Sequence, residues 1–355
     1  NHYGNPSAMH QKGVEAEQYI RTAQETLAKI LKVKEKEIFF TSGGTESDNW
    51  ALVGTAMANK RTGNHIITSA IEHPAVSAPL AFLEEQGFRI TRLPVNKEGL
   101  VDVNELEEAI TPETILVSIM YVNNEIGAVE PIGEIGRRIK AKNPKTYFHV
   151  DAIQAFGKYR IYPKRMGIDM LSVSGHKIHA PKGIGALYLS DRLVQAFRPP
   201  YLGGEQERGL RPGTENLPYA MGLAAAATRL AKTMKSRDTA MKALNQRLRD
   251  GLKAFPEVEL NSPENAVPEV LNFSEMCIKS ETMLAWLAEA QVYVSSASAC
   301  GRGQPSHTLA AMGKDPLAID TAIRVSFCGD NTPEDVDAFL NRFEDGMKSL
   351  QRIRK

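Results

Sequence analysis

The chain has 355 residues, 42% of them hydrophobic, enough to bury a large core and to make two domains. Lys and Arg number 43 against 42 Asp and Glu, a formal charge of +1, so no global basic field points to nucleic acid and no acidic tail is present. No uninterrupted apolar stretch approaches the ~18 residues that a bilayer span needs, so no membrane partner is expected. Three cysteines, Cys277, Cys300 and Cys328, argue against a disulfide framework and for a reducing, cytoplasmic setting. The chain starts at Asn1 without Met, which leaves room for an upstream segment, a cleaved targeting peptide included.

Ala16, Ile20, Ala23, Leu27 and Ile30 recur at helical spacing and predict an amphipathic helix over 14–31. Ile38-Phe39-Phe40 reads as a short strand, and Thr41-Ser42-Gly43-Gly44-Thr45-Glu46 as a turn into a second helix through Trp50 and Leu52. Strands are then expected at 65–68, 89–93, 115–122, 147–150, 170–173 and 184–189. Helices fall between them at 102–110, where Asp102 and Glu105 have capping-box spacing, and at 132–142. Such alternation predicts an α/β fold, a mostly parallel sheet flanked by helices. Past about Asn216 the pattern changes: an alanine-rich helix at 223–234 precedes a charged one at 239–254. Short strands at 258–260, 270–273, 292–295 and 323–327 mix with helices, the last opening on Thr332-Pro333, a cap with proline at the first helical position. The expected division is a large α/β domain over 1–234 and a smaller α+β domain over 235–355.

Polar clusters sit where these strands end, which is where open parallel sheets bind ligands. Ser42-Gly43-Gly44-Thr45 joins a strand to a helix, so its backbone N–H groups and the helix dipole favour a phosphate; the plainer reading is a turn that needs small residues. A nucleoside-triphosphate loop is disfavoured, since no Lys-Ser/Thr follows the glycines. His149 and Asp151 share one face at a strand end, with Gln154 close behind. Asp151 either holds a loop or makes a charge-assisted hydrogen bond to a protonated ring nitrogen. His73, His176 and His179 come without an HExxH or a paired CxxC, so no metal is expected.

Lys177, in Ser174-Gly175-His176-Lys177, stands at the lip of a buried sheet, where desolvating an ammonium is costly unless compensated. Alone it reads as a surface lysine snorkelling from a strand end. Beside a phosphate cradle and an acid for a heteroaromatic nitrogen, it meets the needs of pyridoxal phosphate. That cofactor's aldehyde ties to lysine as a Schiff base, and its ring takes up electrons.

The same residues closely resemble those of the cysteine desulfurases, pyridoxal phosphate enzymes of the class V aminotransferase group with fold type I. The likeness is carried by Ser174-Gly175-His176-Lys177, His149-Val150-Asp151-Ala152-Ile153-Gln154, Ile71-Glu72-His73 and Val122-Asn123-Asn124-Glu125-Ile126-Gly127. Gly4-Asn5-Pro6-Ser7, Arg211-Pro212-Gly213-Thr214 and Ser295-Ser296-Ala297-Ser298-Ala299-Cys300 extend it, in order, over nearly the whole chain. It implies that Lys177 holds the cofactor, that Asp151 pairs with its ring nitrogen, and that His73 stacks on the ring and shuttles protons. Gln154 and Asn124 would bond the ring oxygen or the substrate. Gly44, Thr45, Ser174 and His176 would bind the phosphate, with Thr214 reaching across from a second subunit of a homodimer. Arg324 would grip the carboxylate of the substrate, L-cysteine, its planar fork offering two parallel donors.

The resemblance makes Cys300 the nucleophile that takes the sulfur as a persulfide and releases L-alanine. Its small, glycine-rich setting reads as a mobile loop, and Arg302 could favour a thiolate, whereas Cys277 and Cys328 read as small buried hydrophobes. The sulfur would pass to an acceptor protein, an iron–sulfur scaffold or a tRNA-thiolating enzyme. Family members usually carry a further stretch before Gly-Asn-Pro-Ser with an Asp-Asn-Ala-Ala-Thr-like motif, so a trimmed or partly disordered N-terminus is expected here. A selenocysteine lyase or another aminotransferase on this fold, and a non-catalytic scaffold, are the alternatives.

Overall fold

The apolar runs between residues 38 and 189 pair into one seven-stranded sheet in the computed structural model, which describes residues 3–194, 197–296 and 305–353. The strands are β1 (Ile38–Thr41), β2 (His65–Ser69), β3 (Arg89–Leu93), β4 (Thr114–Ser118), β5 (Tyr147–Asp151), β6 (Met170–Ser174) and β7 (Gly185–Leu189). Their spatial order is β1-β7-β6-β5-β4-β2-β3. From β3 to β6 the neighbours are parallel, while β7 runs antiparallel to β6 and to β1. Every residue of β2, β4 and β6 is buried, which is why Ile66-Ile67 and Ile115-Leu116-Val117 show no polar alternation. β3 lies at the edge and exposes Arg89 and Arg92, charges that discourage further pairing there. Trp50, Leu52, Leu80 and Leu83 from flanking helices pack with Phe39, Ile66 and Leu187 of the sheet in one buried cluster.

Two sequence expectations change in this region. The strand expected through Val122 stops at Ser118. The Ile119 and Tyr121 N–H groups still donate to His149 O and Asp151 O, so the apolar run continues because it lies against the end of β5. The two helices expected at 223–234 and 239–254 are one, Leu217–Leu252. No Gly or Pro stands between Gly222 and Gly251, so Lys235-Ser236-Arg237-Asp238 interrupts the apolar pattern without stopping the helix.

The chain divides into two compact units, and the division falls within that helix, after Met234. The second unit comprises Lys235–Lys355 together with Pro94–Val101 and Val122–Val129, two segments that the sequence reading had left in the large domain. It contains an antiparallel sheet in the order β10-β9-β8, made of β8 (Glu259–Leu260), β9 (Val270–Ser274) and β10 (Ala322–Ser326). Alternate residues Leu271, Phe273, Ile323 and Val325 are buried against Val336, Phe339, Phe343 and Met347 of the helix Pro333–Ser349. Phe273 and Phe343 meet edge to face, centroids 5.6 Å apart. The strand expected at 292–295 adds only a single bridge, Ser295 to Arg324.

Candidate active site

Gly43 adopts φ +156° and ψ −173°, a backbone region open to glycine, and from it the helix Gly44–Asn49 departs. The turn is drawn against the sheet by Gly185, the first residue of β7. A Cβ there would lie 2.7 Å from Gly43 Cα and 2.6 Å from Val173 O. The same approach leaves Ser174, at the end of β6, beside both glycines: its Oγ lies 3.8 Å from where a Gly43 Cβ would sit, its Cβ 3.5 Å from that of Gly44. His176 Nδ1 stands 2.9 Å from Ser174 Oγ, and burial together with Lys177 and Lys182 lowers its pKa. Helix-start N–H groups, a hydroxyl and an imidazole thus converge as an anion cradle. Glu46 and Arg211, to which the sequence assigns no role, brace it: Glu46 accepts from Ser42 N–H at 2.7 Å and from Arg211 Nε at 2.9 Å.

Asp151 ends β5, is 4% exposed, and accepts from Ile153 N–H at 2.9 Å. Burial pushes its pKa up to about 6, opposed by that hydrogen bond and by the charge of Lys177. Lys177 is an exposed residue of the short helical turn Gly175–Ile178 that follows β6. The desolvation that made it look unwelcome does not arise, and its ammonium serves as a counter-charge to the buried acid. His149, which shares the face of Asp151, is fully buried between Ser118 Oγ at 2.8 Å and Ser172 Oγ at 3.0 Å. Desolvation lowers its pKa to about 3, so its ring is neutral. Below it Glu72 accepts from Ser69 and from Met120 N–H, yet burial raises its pKa to about 8. The sequence assigns no role to Glu72, because only three-dimensional burial distinguishes it from a surface carboxylate.

His73 caps the helix Pro74–Glu85, its Nδ1 accepting from Ala75 N–H at 3.1 Å. That bond places the proton of the neutral ring on Nε2 and fixes the ring's direction. Gln154, half-buried, accepts from Lys158 Nζ at 3.1 Å. Thr45 and Thr214 are exposed, and the loop of Thr214 is held by the Gly213 N–H on Gln206 Oε1. A buried carboxylate opposite an amine, flanked by an anion cradle and an oriented imidazole, fits pyridoxal phosphate by the chemistry of its donors. Among the described residues no group of three His, Cys, Asp or Glu is arranged to hold a metal ion.

The second unit brings together Asn124 and Arg324. Val122 bridges Val129, and Asn123 Oδ1 accepts from the Glu125 and Ile126 N–H groups, which shapes a tight turn closed by Gly127 at φ +72°. Arg324 Nη1 donates to Asn124 O at 2.9 Å, while its Nε is buried without a hydrogen-bond partner. Burial pulls down the pKa of this guanidinium, and Glu125 opposes that pull. Glu125 in turn accepts from the Ser306 hydroxyl. Cys300, with the rest of 297–304, lies outside the described residues. Cys277 and Cys328, read from sequence as buried, are only half-buried.

Residues 1–339 match the family model for class-V aminotransferases. A Clostridium botulinum protein named cysteine desulfurase IscS is 44% identical over 345 residues, covering 95% of this chain and 86% of its own. A solved structure titled as a NifS-like protein superposes with a TM-score of 0.93 at 38% identity, over 99% of this chain and 93% of that one. Another, titled SspA in complex with cysteine, gives a TM-score of 0.81 at 35% identity, over 92% and 91% of the two chains.

Proposed function

The chain belongs to the class-V aminotransferase family as a pyridoxal phosphate-dependent cysteine desulfurase, and on that premise we propose how its residues divide the work. When bound, pyridoxal phosphate supplies the electron sink that lets bonds at the substrate Cα and Cβ break. Lys177 would hold the cofactor through Nζ, Asp151 would serve its ring nitrogen, and Gly44, Thr45, Ser174 and His176 would take its phosphate. Gln154 and Asn124 bond the ring oxygen or the substrate. As a free amine, Lys177 Nζ would take the Cα proton of cysteine, and His73 would shuttle protons beside it.

Arg324 takes the substrate carboxylate as a planar, two-donor fork. The Cys300 thiolate bonds to the substrate sulfur, the C–S bond breaks with its electron pair left on carbon, and a proton completes L-alanine. The persulfide on Cys300 then passes its sulfur to an acceptor protein, an iron–sulfur scaffold or a tRNA-thiolating enzyme. The enzyme acts as a homodimer in the cytoplasm, with Thr214 reaching the phosphate of the partner subunit. No helix among the described residues is long and apolar enough to cross a membrane.

The observation that best supports the assignment of roles is the gathering of Asp151, Lys177, Ser174 and His176 at the ends of neighbouring parallel strands. The test is Cys300→Ala supplied with cysteine. The variant should keep the cofactor's absorbance and produce neither persulfide nor alanine. Full alanine release would move the chain to a selenocysteine lyase or another aminotransferase on the same fold.

A further inference from the structure

Asp48 is a buried acid that the mechanism above does not use. It lies on the inner face of the helix Gly44–Asn49, 0% exposed, and the Ser172 hydroxyl approaches its carboxyl without reaching good hydrogen-bond geometry. Its Oδ1 is 3.5 Å from His149 Nε2, and Asp151, Glu72 and the Ser172 hydroxyl complete its polar surroundings. Two carboxyls so placed in a dry interior cannot both ionise at modest cost. Their partners decide which one does. Asp151 has the Ile153 N–H and the charge of Lys177. Among the described residues no cation acts on Asp48: His149 stands between two serine hydroxyls, where burial keeps its ring neutral, and Glu72 is itself held towards its acid form.

We propose that Asp48 is a positioning residue for the cofactor site, keeping the proton of the buried Asp48–Asp151 pair so that the pair's negative charge rests on Asp151. The protonated carboxyl is a donor aimed at the His149–Ser172 pair, and it supports β5 and β6 from beneath where they carry Asp151 and Ser174. The inference rests on the reading that Asp151 meets the cofactor's ring nitrogen. It adds that the charge there is fixed by a neighbour that never touches the ring.

The experiment compares Asp48→Ala, Asp48→Asn and Asp151→Asn with the parent. It measures pyridoxal phosphate affinity by absorbance titration of the apoprotein, and apoprotein unfolding midpoints from about pH 4 to about pH 8. Asp48→Ala should weaken cofactor binding roughly tenfold, about 1.4 kcal/mol, because it removes the donor and leaves a void. Asp48→Asn, neutral and of the same shape, should stay within about twofold of the parent. Its unfolding midpoint should exceed the parent's by a margin that grows as pH rises, since an acid held protonated in the fold costs more as its unfolded form ionises. Asparagine as harmful as alanine, alanine without effect, or an asparagine midpoint below the parent's near pH 8 would each overturn the proposal. If Asp48→Ala does not fold, the midpoints of Asp48→Asn decide alone. Asp151→Asn judges the underlying reading separately: undiminished affinity there would remove Asp151 from the ring, while the midpoints would still report on Asp48.

Discussion

In the middle of β10, Arg324 gives Nη1 to Asn124 O and keeps a buried Nε without a partner. Leaving a buried donor unmet costs about 1–3 kcal/mol, so the side chain is poised for an anion that can satisfy it. Arg324→Lys should therefore lower kcat/KM for cysteine roughly tenfold to a hundredfold, mostly through KM, because an ammonium cannot make two parallel bonds to a carboxylate. Steady-state kinetics at saturating cofactor check this; an unchanged KM would contradict it. At this scale the sequence was informative wherever function is written in contiguous residues. Asp151, Ser174, His176 and Lys177 lie at the ends of the neighbouring strands β5 and β6. Asp48, Glu72 and the Glu46–Arg211 brace stayed hidden, since their meaning lies in partners up to 165 residues away.

At the scale of elements, the cradle depends on how closely β7 approaches the turn after β1. Gly185→Ala would push a methyl to 2.7 Å from Gly43 Cα, and backbone on both sides leaves nothing soft to yield. We expect a loss of about 1–3 kcal/mol of stability and weaker cofactor binding. Chemical denaturation with an absorbance titration measures both; a variant as stable and as yellow as the parent would show that the contact relaxes freely. The elements themselves were largely legible from apolar periodicity, down to the bounds of β3 and of the helix Ile132–Lys142. The misread ones share a cause. Residues 119–122 and 292–295 have strand composition, yet pairing is settled by which neighbours remain available, and that is a tertiary matter.

For the molecule as a whole, buried ionisable groups set how stability follows pH. Burial holds the pKa of Glu72 at about 8 and those of Glu207 and Glu275 at about 7, all well above the value in an unfolded chain. An acid raised in the fold loses stability as pH climbs from its unfolded value through its folded one. His65, lowered to about 4, and His149, lowered to about 3, act oppositely and only below about pH 6.5. Between about pH 6.5 and 8 these buried acids dominate among the described groups, so apoprotein stability should fall. Glu72→Gln should recover roughly 1–3 kcal/mol of it near pH 8 and little near pH 5. Urea titrations at the two pH values test this; a midpoint that rises with pH would contradict it.

Association is the other property at this scale. Tyr3, Met9 and Leu202 of the first unit are 89%, 98% and 88% exposed, apolar surface that a partner subunit would cover. Sedimentation should give twice the 39.1 kDa of one chain; a 39.1 kDa species at micromolar concentration would contradict the homodimer.

All of this depends on where the cofactor is attached. The direct measurement is borohydride reduction of the cofactor-loaded protein followed by peptide mass mapping. The account predicts a pyridoxyl adduct on the peptide containing Lys177 and on no other lysine. An unmodified Lys177 in fully loaded, reduced protein would contradict it.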